Sequence, residues 1–426
     1  MQPITRRQFA QSATALTLSA ASYTRAADAP NETVRVVVMG TRIRGKFHLS
    51  AFPSEPHVEV THVIEPDSNL VPDALGVAAK HQKAVPTVET DVRKVLEDKS
   101  VDVLVVAAPD HWHALATVWA CQAGKHVYVE KPVSHNIIEG RRMVQAARKY
   151  KRVVQAGMQR RSAGHVDAAR EFVQSGKLGK VPFARAWIAG NRSGIGKKAN
   201  APVPKGVDYS LWLGPAKESE FNPNHFHYNW HWFWEYGTGE IGNNGIHMLD
   251  VARNILNLDS PTRISSSGGI YFYDDDRETP DTHLATFDFP NCSLVWEHRI
   301  WAKTGLDGEA FGVSIHGEKG TLVFDSKGWH VKDVKDGLTE TSEKGSNGIE
   351  NAHVRNFLAC IKSGKLPNAD IEIGHKSTRL CHLGNIAYRT GRTLKFDAET
   401  ETITGDADAN KLLGREYRKG FELPTV

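Results

Sequence analysis

The chain has 426 residues, with 53 Lys and Arg against 49 Asp and Glu and a formal net charge of +4. That length supports two domains with substantial cores, and so small a charge, with no basic cluster interleaved with aromatics, argues against a nucleic-acid partner. Four cysteines, Cys121, Cys292, Cys360 and Cys381, are too few for a disulfide scaffold and lack zinc-type spacing, although Cys360 and Cys381 could pair in an oxidising compartment.

Near the start, Thr5-Arg6-Arg7-Gln8-Phe9 precedes a mild apolar run over 13–21 and small-residue cleavage options over 26–29. The run is far shorter than the roughly 20 apolar residues of a membrane span. Residues 1–29 therefore read as a twin-arginine export signal and not as an anchor. The expectation is a chain that engages the twin-arginine export machinery, has no stable membrane insertion, and ends in the periplasm or another extracytoplasmic space.

Residues 30–156 carry the grammar of a dinucleotide-binding unit. Val34–Met39 is a buried-strand pattern that runs into Gly40-Thr41-Arg42-Ile43-Arg44-Gly45 and then a helix start at Lys46. The fingerprint for such a turn is G-x-G-x-x-G, whose middle glycine lets backbone approach a pyrophosphate; here Arg42 stands in that place. Either Arg42 or Arg44 contacts phosphate oxygens, for which a guanidinium fork is suited, or the loop has lost dinucleotide affinity. The next strand, Val58–Ile64, ends at Glu65-Pro66-Asp67. Glu65 lies about 20 residues past Gly45, where a carboxylate hydrogen-bonds the adenosine ribose 2′-hydroxyl and repels a 2′-phosphate. This points to NAD over NADP; the alternative is a carboxylate that caps the turn before Pro66. A strand over 101–107 followed by Pro109-Asp110-His111-Trp112-His113, with a helical pattern over 138–150, completes a doubly wound sheet.

The run His126-Val127-Tyr128-Val129-Glu130-Lys131-Pro132 is the most informative stretch. A short strand ends in a carboxylate, an amine and a rigid turn, which puts Lys131 at the sheet's carboxyl edge, where open α/β folds bind ligands. Beside a cationic nicotinamide, like charge disfavours the protonated amine and suits it to general base work on a hydroxyl. The competing reading is a solvated surface lysine. A strand over 153–157 then leads out to Gln159-Arg160-Arg161, where Arg160 could anchor a substrate oxygen or carboxylate.

In residues 157–426, the stretches 197–207 and 335–347 read as loops. Between 226 and 236 aromatics fill every even position, from Phe226 through Tyr228, Trp230, Trp232 and Trp234 to Tyr236. Period two predicts an extended segment with one aromatic face. That face is either a wall for the C–H faces of sugars, with Tyr228, His231 and Trp234 as candidate contacts, or a core or subunit-interface strand. The spacing of His225, His227 and His231 fits no known zinc motif, so no metal site is expected. Met248, Val251, Ala252 and Ile255 form the buried face of a helix, with Asn243, His247, Asp250 and Asn254 on a polar stripe. Hairpin signals at Pro290-Asn291 and at Gly317 to Gly320 join strands over 284–289 and 293–297, and over 313–316 and 321–324. Helices over 351–361 and 376–388 close the domain, and the tail to Val426 is expected to pack on a neighbour.

With these pieces in place the chain resembles the Gfo/Idh/MocA family, the relatives of glucose-fructose oxidoreductase and inositol dehydrogenase. The resemblance spans about residues 34–424. It is carried by Gly40 to Gly45, Glu65, Pro109 to His113, Glu130-Lys131-Pro132 and Gly245-Ile246-His247-Met248-Leu249-Asp250. It implies an α/β enzyme with an N-terminal Rossmann doubly wound parallel sheet and a C-terminal α/β domain built on a large, mainly antiparallel open sheet, often used to form homo-oligomers. It also implies NAD(P)-linked chemistry on sugars or polyols. The expected cofactor contacts are Gly40, Arg42, Ile43, Arg44, Gly45, Glu65, Pro109, His113, Glu130 and Lys131. Lys131 falls between nicotinamide and substrate, and Asn243 and His247 match the family's Asp-x-x-x-His pair. Asn243 can hydrogen-bond a hydroxyl but cannot take its proton, so a proton relay rests on His247 and Lys131. The expected substrate contacts are Arg160, Tyr228, His231, Trp234, Asn243 and His247.

Twin-arginine export carries proteins that have already folded and taken up cofactor, and free NAD is not expected outside the cytoplasm. The cofactor should therefore travel inside the enzyme and be recycled there. An NAD-dependent oxidoreductase acting on CH–OH groups of a sugar, polyol or glycoside satisfies this if one substrate is oxidised and another reduced. So does a redox-neutral glycosidase that runs oxidation, elimination, hydration and reduction in turn. A non-catalytic sugar-binding protein is the third reading, prompted by Arg42 and Asn243; retention of Lys131 and His247 argues against it.

Overall fold

The structure, a computed structural model, describes residues 33–426; the expected export signal lies outside the described residues. Six strands, β1 (Val34–Met39), β2 (Val58–Ile64), β3 (Thr87–Glu89), β4 (Val103–Val106), β5 (His126–Val129) and β6 (Val154–Ala156), form a parallel sheet in the order β3-β2-β1-β4-β5-β6. Val36 and Val38 of β1 are buried on one face and Val37 and Met39 on the other, as expected for a sheet covered on both sides. Helices α1 (Ile43–Ala51) and α2 (Val71–Ala78) cover the first face; α3 (Val92–Leu96), α4 (Asp110–Gln122) and α5 (Ile137–Lys149) cover the second. The Asn136 side chain starts α5 by accepting the Glu139 backbone N–H at 2.9 Å. Strand order reverses between β1 and β4, which opens a crevice at their carboxyl ends.

After α6 (Gly164–Gln174) and β7 (Phe183–Ala189), the chain builds a second sheet of ten strands. A short helix α7 (Tyr209–Leu213) and the helix α8 (Ile246–Leu256) precede β8 (Arg263–Gly269), β9 (Thr282–Phe289), β10 (Cys292–Arg299), β11 (Phe311–Gly317), β12 (Gly320–Asp325), β13 (Gly328–Lys332) and β14 (Ser342–Lys344). Helices α9 (Ile349–Ser363) and α10 (Ile371–Thr390), strands β15 (Leu394–Asp397) and β16 (Thr402–Ile403) and helix α11 (Ala407–Lys411) follow. Pairing is antiparallel except for β7 with β10, and both expected hairpins are present as β9–β10 and β11–β12. One face is buried through Ile264, Phe287, Leu294 and Trp296, while Leu284 and Ser267 on the other are exposed.

The two sheets are not separate bodies. Helix α9 returns to the first sheet, where Val354 and Phe357 join the cluster of Val36, Val38 and Tyr128, and Phe357 meets Phe52 edge-on at 6.4 Å. On α10, Gly374 lies so close to β6 that a Cβ would stand 2.8 Å from that of Ala156.

Several expectations are corrected. The segment 226–236 is not extended: it coils through a short 3₁₀ turn, Asn229–Trp232, and buries Trp232, Phe233 and Tyr236 in a satellite core with Trp212 and Phe221. The loop 335–347 contains β14, which pairs with β13. The C-terminal tail packs on its own chain, with Phe421 edge-on to Trp112 at 5.7 Å and Arg418 Nε donating to the Gly214 carbonyl at 2.9 Å. Cys360 and Cys381 are buried free thiols, one in the α9 cluster and the other donating to the Ile241 carbonyl at 3.2 Å.

Candidate active site

The cleft lies at the carboxyl ends of β1, β4 and β5, and the glycine loop forms its floor. Gly40 has φ +85°, and a Cβ there would lie 2.7 Å from the Ala107 carbonyl, so glycine alone lets β1 and β4 end this close together. A Cβ on Gly45 would collide with the Gly40 carbonyl, which ties the first turn of α1 to the strand end. Between them, Arg42 precedes α1 with an exposed side chain that makes no ion pair among the described residues, and Ile43 beside it is also exposed. Arg44 is committed elsewhere: its Nε donates to Glu130 at 2.8 Å and its Nη1 to Glu350 at 3.0 Å. Of the two arginines considered for phosphate, Arg42 is the unencumbered one.

Glu65 lines the cleft at the end of β2, but its carboxylate is already engaged. Oε2 accepts the Thr41 backbone N–H (3.0 Å) and hydroxyl (2.6 Å), and Oε1 accepts the Asp67 N–H at 3.1 Å. The turn-capping and ribose-binding readings thus share one side chain. Over this end of the cleft the later chain closes a clasp. Ser68 N–H donates to the Gly206 carbonyl at 2.9 Å, Asp208 N–H to the Pro66 carbonyl at 2.8 Å, and His227 Nε2 to Asp67 at 2.7 Å. Tyr228, Trp230 and His231 continue this roof. The residues present fit a dinucleotide: a close-packed glycine turn, a helix N-terminus with a spare guanidinium, and an acid at the second strand.

At the other end stands Lys131, whose ammonium or amine Nζ donates to the Asn243 carbonyl at 2.5 Å. Burial disfavours its charged form and lowers its pKa, while Glu130 and Asp110 pull the other way. Glu130 is buried beneath the loop, accepting from Arg44 and from His48 Nε2 at 2.8 Å. The sequence placed it among cofactor contacts; its observed bonds are to these two side chains. His113 lines the cleft as well, and its ring nitrogens face the Pro132 carbonyl at 2.7 Å and the Ala108 carbonyl at 2.8 Å, bracing the turn after Lys131. Pro109 precedes α4 and lines the cleft, followed by Asp110.

Asn243 belongs to one turn of π-helix, Ile241–Gly245, that runs into α8. A π turn spaces residues differently from an α turn, so Asn243 and His247 do not follow one regular helical stripe. Asn243 lines the cleft, whereas His247 lies outside its wall, with no hydrogen bond among the described residues; burial, then Lys131 and Arg160, hold its imidazole neutral. Arg160 is also off the wall, over the rings of Phe311 (5.2 Å) and Phe324 (5.6 Å). Trp234 lies away from the cleft, under Arg389 at 5.0 Å, with its backbone N–H on Glu278. Tyr228 and His231 are on the wall as expected. His231 donates through Nδ1 to the Tyr228 carbonyl, and burial pushes its pKa down to about 3, leaving Nε2 without a proton.

The structure adds residues that sequence reasoning missed. Asp110 lines the cleft near Lys131, and Arg192 braces Tyr228 (3.1 Å) and the fully buried Glu240 (3.2 Å) behind it. Asp110 had a signal in the Pro109-Asp110 start of a helix after a sheet strand; Arg192 had none, sitting alone in a loop.

A switch-point cleft with a glycine turn at one end and a half-buried lysine at the other defines a nicotinamide-dependent oxidoreductase. The chain belongs to the Gfo/Idh/MocA oxidoreductase family: residues 34–158 match the family's NAD-binding Rossmann fold and residues 186–423 its C-terminal alpha/beta domain. It is 25% identical over 361 residues to D-glucoside 3-dehydrogenase of Escherichia coli (strain K12), covering 80% of this chain and 92% of that one. It is 28% identical over 120 residues to a glycosyl hydrolase family 109 protein of Shewanella sp. (strain W3-18-1), covering 27% and 26%. The fold is similar to that of levoglucosan dehydrogenase in complex with NADH and levoglucosan, with TM-score 0.67, 16% identity, and 85% of this chain and 99% of that one covered.

Proposed function

We propose that this NAD-dependent oxidoreductase is exported and acts on a hydroxyl of a sugar, polyol or glycoside, holding its NAD(H) tightly and recycling it in place. The observation that carries this reading is Lys131, half-buried in the cleft and held by the Asn243 carbonyl. When bound, the nicotinamide supplies the acceptor and donor of hydride. Burial keeps a share of Lys131 neutral, so the amine can take the proton of a substrate hydroxyl. The unprotonated Nε2 of His231 and the Asn243 amide offer hydrogen bonds that orient neighbouring hydroxyls. Tyr228 and Trp230 present ring faces on which a sugar can stack. The clasp of 206–208 and His227 over the β2 end supports retention. The arginine pair at residues 6 and 7 supports the twin-arginine route to the periplasm, and the open face of the second sheet supports homo-oligomers.

The experiment is to purify the mature protein from the periplasmic fraction without added cofactor, denature it, and assay the released small molecules by absorbance and mass spectrometry. About one NAD(H) per chain is expected. No NAD(H), and no binding when NAD is added, would sink the enzymatic reading and leave a sugar-binding protein.

The likeness to a glycosyl hydrolase family 109 protein favours a second reading, redox-neutral cleavage of a glycoside. Turnover in deuterium oxide separates the two, because elimination exchanges the hydrogen on the carbon between the oxidised and cleaved centres. Simple oxidation leaves that hydrogen in place.

A further inference from the structure

Four carboxylates line the cleft, and they differ in what they touch. Glu65 accepts from Thr41 and the Asp67 backbone, Asp91 pairs with Arg93 through Nη2 at 2.6 Å, and Glu130 is bound by Arg44 and His48. Asp110 is different. It is buried at the start of α4, its Oδ2 accepts the Thr238 hydroxyl at 3.1 Å, and among the described residues no cation forms an ion pair with it. The charges that face it are Lys131 at the end of β5 and Glu139 on α5. Lys131 in turn faces Glu130, Asp110, Arg44 and Glu240, with His231 and His247 nearby. Asn243 gives Lys131 a carbonyl to hold but no group that can receive a proton.

We propose that Asp110 is the proton reservoir of this site, taking from Lys131 the proton that the amine removes from the substrate hydroxyl and returning it in the reverse half-reaction. The proposal rests on the reading of Lys131 as the base. In the forward direction the substrate O–H bond breaks as an N–H bond forms on the Lys131 amine. The proton then moves from the ammonium to an Asp110 oxygen, leaving a neutral acid and a neutral amine. The reverse half-reaction runs the same two transfers backwards, and no electrons leave or enter the pair. Asp110 and Lys131 both line the cleft and form no direct ion pair among the described residues, so the proposed transfer requires a bridging water between them.

Low dielectric favours this arrangement. Burial raises the Asp110 pKa and lowers that of Lys131, so acid plus amine and carboxylate plus ammonium are brought close in energy. The Thr238 hydroxyl and the N-terminus of α4 keep the ionised form accessible. Asp110 acts through Lys131 and so is a positioning residue for the proton; it supplies a carboxylate at the start of α4 where the Asn243 side chain can supply none.

The test is a carboxyl NMR titration of the NAD-loaded protein labelled at the aspartate side-chain carbon, with the Asp110 signal assigned by its loss in Asp110→Asn or Asp110→Glu. Asp110 is expected to titrate above pH 6 and to move further upward in Lys131→Gln, where its cationic partner is gone. A midpoint in the ordinary carboxylate range that Lys131→Gln leaves unmoved would overturn the proposal, whatever the substrate. Kinetically, Asp110→Asn should lower the single-turnover rate about 10–100-fold, flatten its pH profile and leave KM near wild type, with Asp110→Glu recovering most of the rate. An Asp110→Asn enzyme with wild-type rate and pH profile would overturn the reservoir alone. An undiminished rate in a Lys131 variant would instead remove the underlying reading of the base.

Discussion

Replacing Lys131 with methionine is expected to lower turnover by about 10³-fold or more while leaving bound NAD(H) and the melting temperature nearly unchanged. General base catalysis contributes roughly 10²–10⁴-fold, and among the described residues no other lysine lines the cleft to substitute. Methionine has nearly the shape of lysine, so the main structural loss is one hydrogen bond to the Asn243 carbonyl, a cost of about 1 kcal/mol. The pH dependence follows from the direction of the shift. A half-buried lysine with a lowered pKa is deprotonated at lower pH than a free one, so hydroxyl oxidation should rise with pH through that pKa and fall as acid protonates the amine. Steady-state rates across pH on wild type and Lys131→Met check this. A variant that turns over at the wild-type rate would remove Lys131 from the chemistry.

Glu130→Ala is expected to act on the fold before it acts on the reaction. Burial alone would push the Glu130 pKa up, but Arg44 and the hydrogen-bonded His48 outweigh it and hold the carboxyl well below the usual range. Removing one partner of a buried pair typically costs about 3–5 kcal/mol because the other charge is stranded. Arg44 keeps Glu350 and is partly exposed, so the lower end, about 3 kcal/mol, is expected from urea denaturation at neutral pH. The sign with pH is fixed. A carboxyl whose folded pKa is depressed contributes stability that is fully present above its unfolded value of 4.5 and is lost as pH falls toward the folded one. Wild type and Glu130→Ala should therefore converge in stability on acidification below about pH 4.5. A constant difference down to pH 3 would mean that the ion pair is not its source.

The first sheet was legible because its chemistry is local. Runs such as residues 36–39 and Val103–Val106 are buried on both faces, and a glycine follows the first of them where the strand must turn sharply. Helix α5 and the hairpins at Asn291 and Gly317 carry equally local signals in a cap and in turn residues. The alternation of aromatics over 226–236 misled because period two arises in two ways. It marks a flat strand, and it also occurs in a coil that sends some rings to a satellite core and others to a cleft roof, as Trp232 and Tyr228 do. The site was half legible. Lys131, Asn243, Gly40 and Glu65 announce themselves by motif, whereas the capture of Arg44 by Glu130 and Glu350 depends on partners 86 and 306 residues away. Asp110 reads as an ordinary acid at a helix start, and only the folded chain brings it to Lys131.

Helix α9 also bears on how the chain is made. The first sheet leaves the ribosome before the layer that seals one of its faces, with Phe357 against Phe52 and Tyr128, because that layer follows it far along the chain. Until residues 349–363 emerge, Val36, Val38 and Val105 lack part of their cover, and contacts of such long sequence separation form late. A nascent or truncated chain that stops before residue 349 would present that apolar surface to water and to other chains, a state prone to aggregation. Emergence of residues 349–363, rather than completion of the first β-α-β units, sets the earliest moment at which the nucleotide-binding half can close.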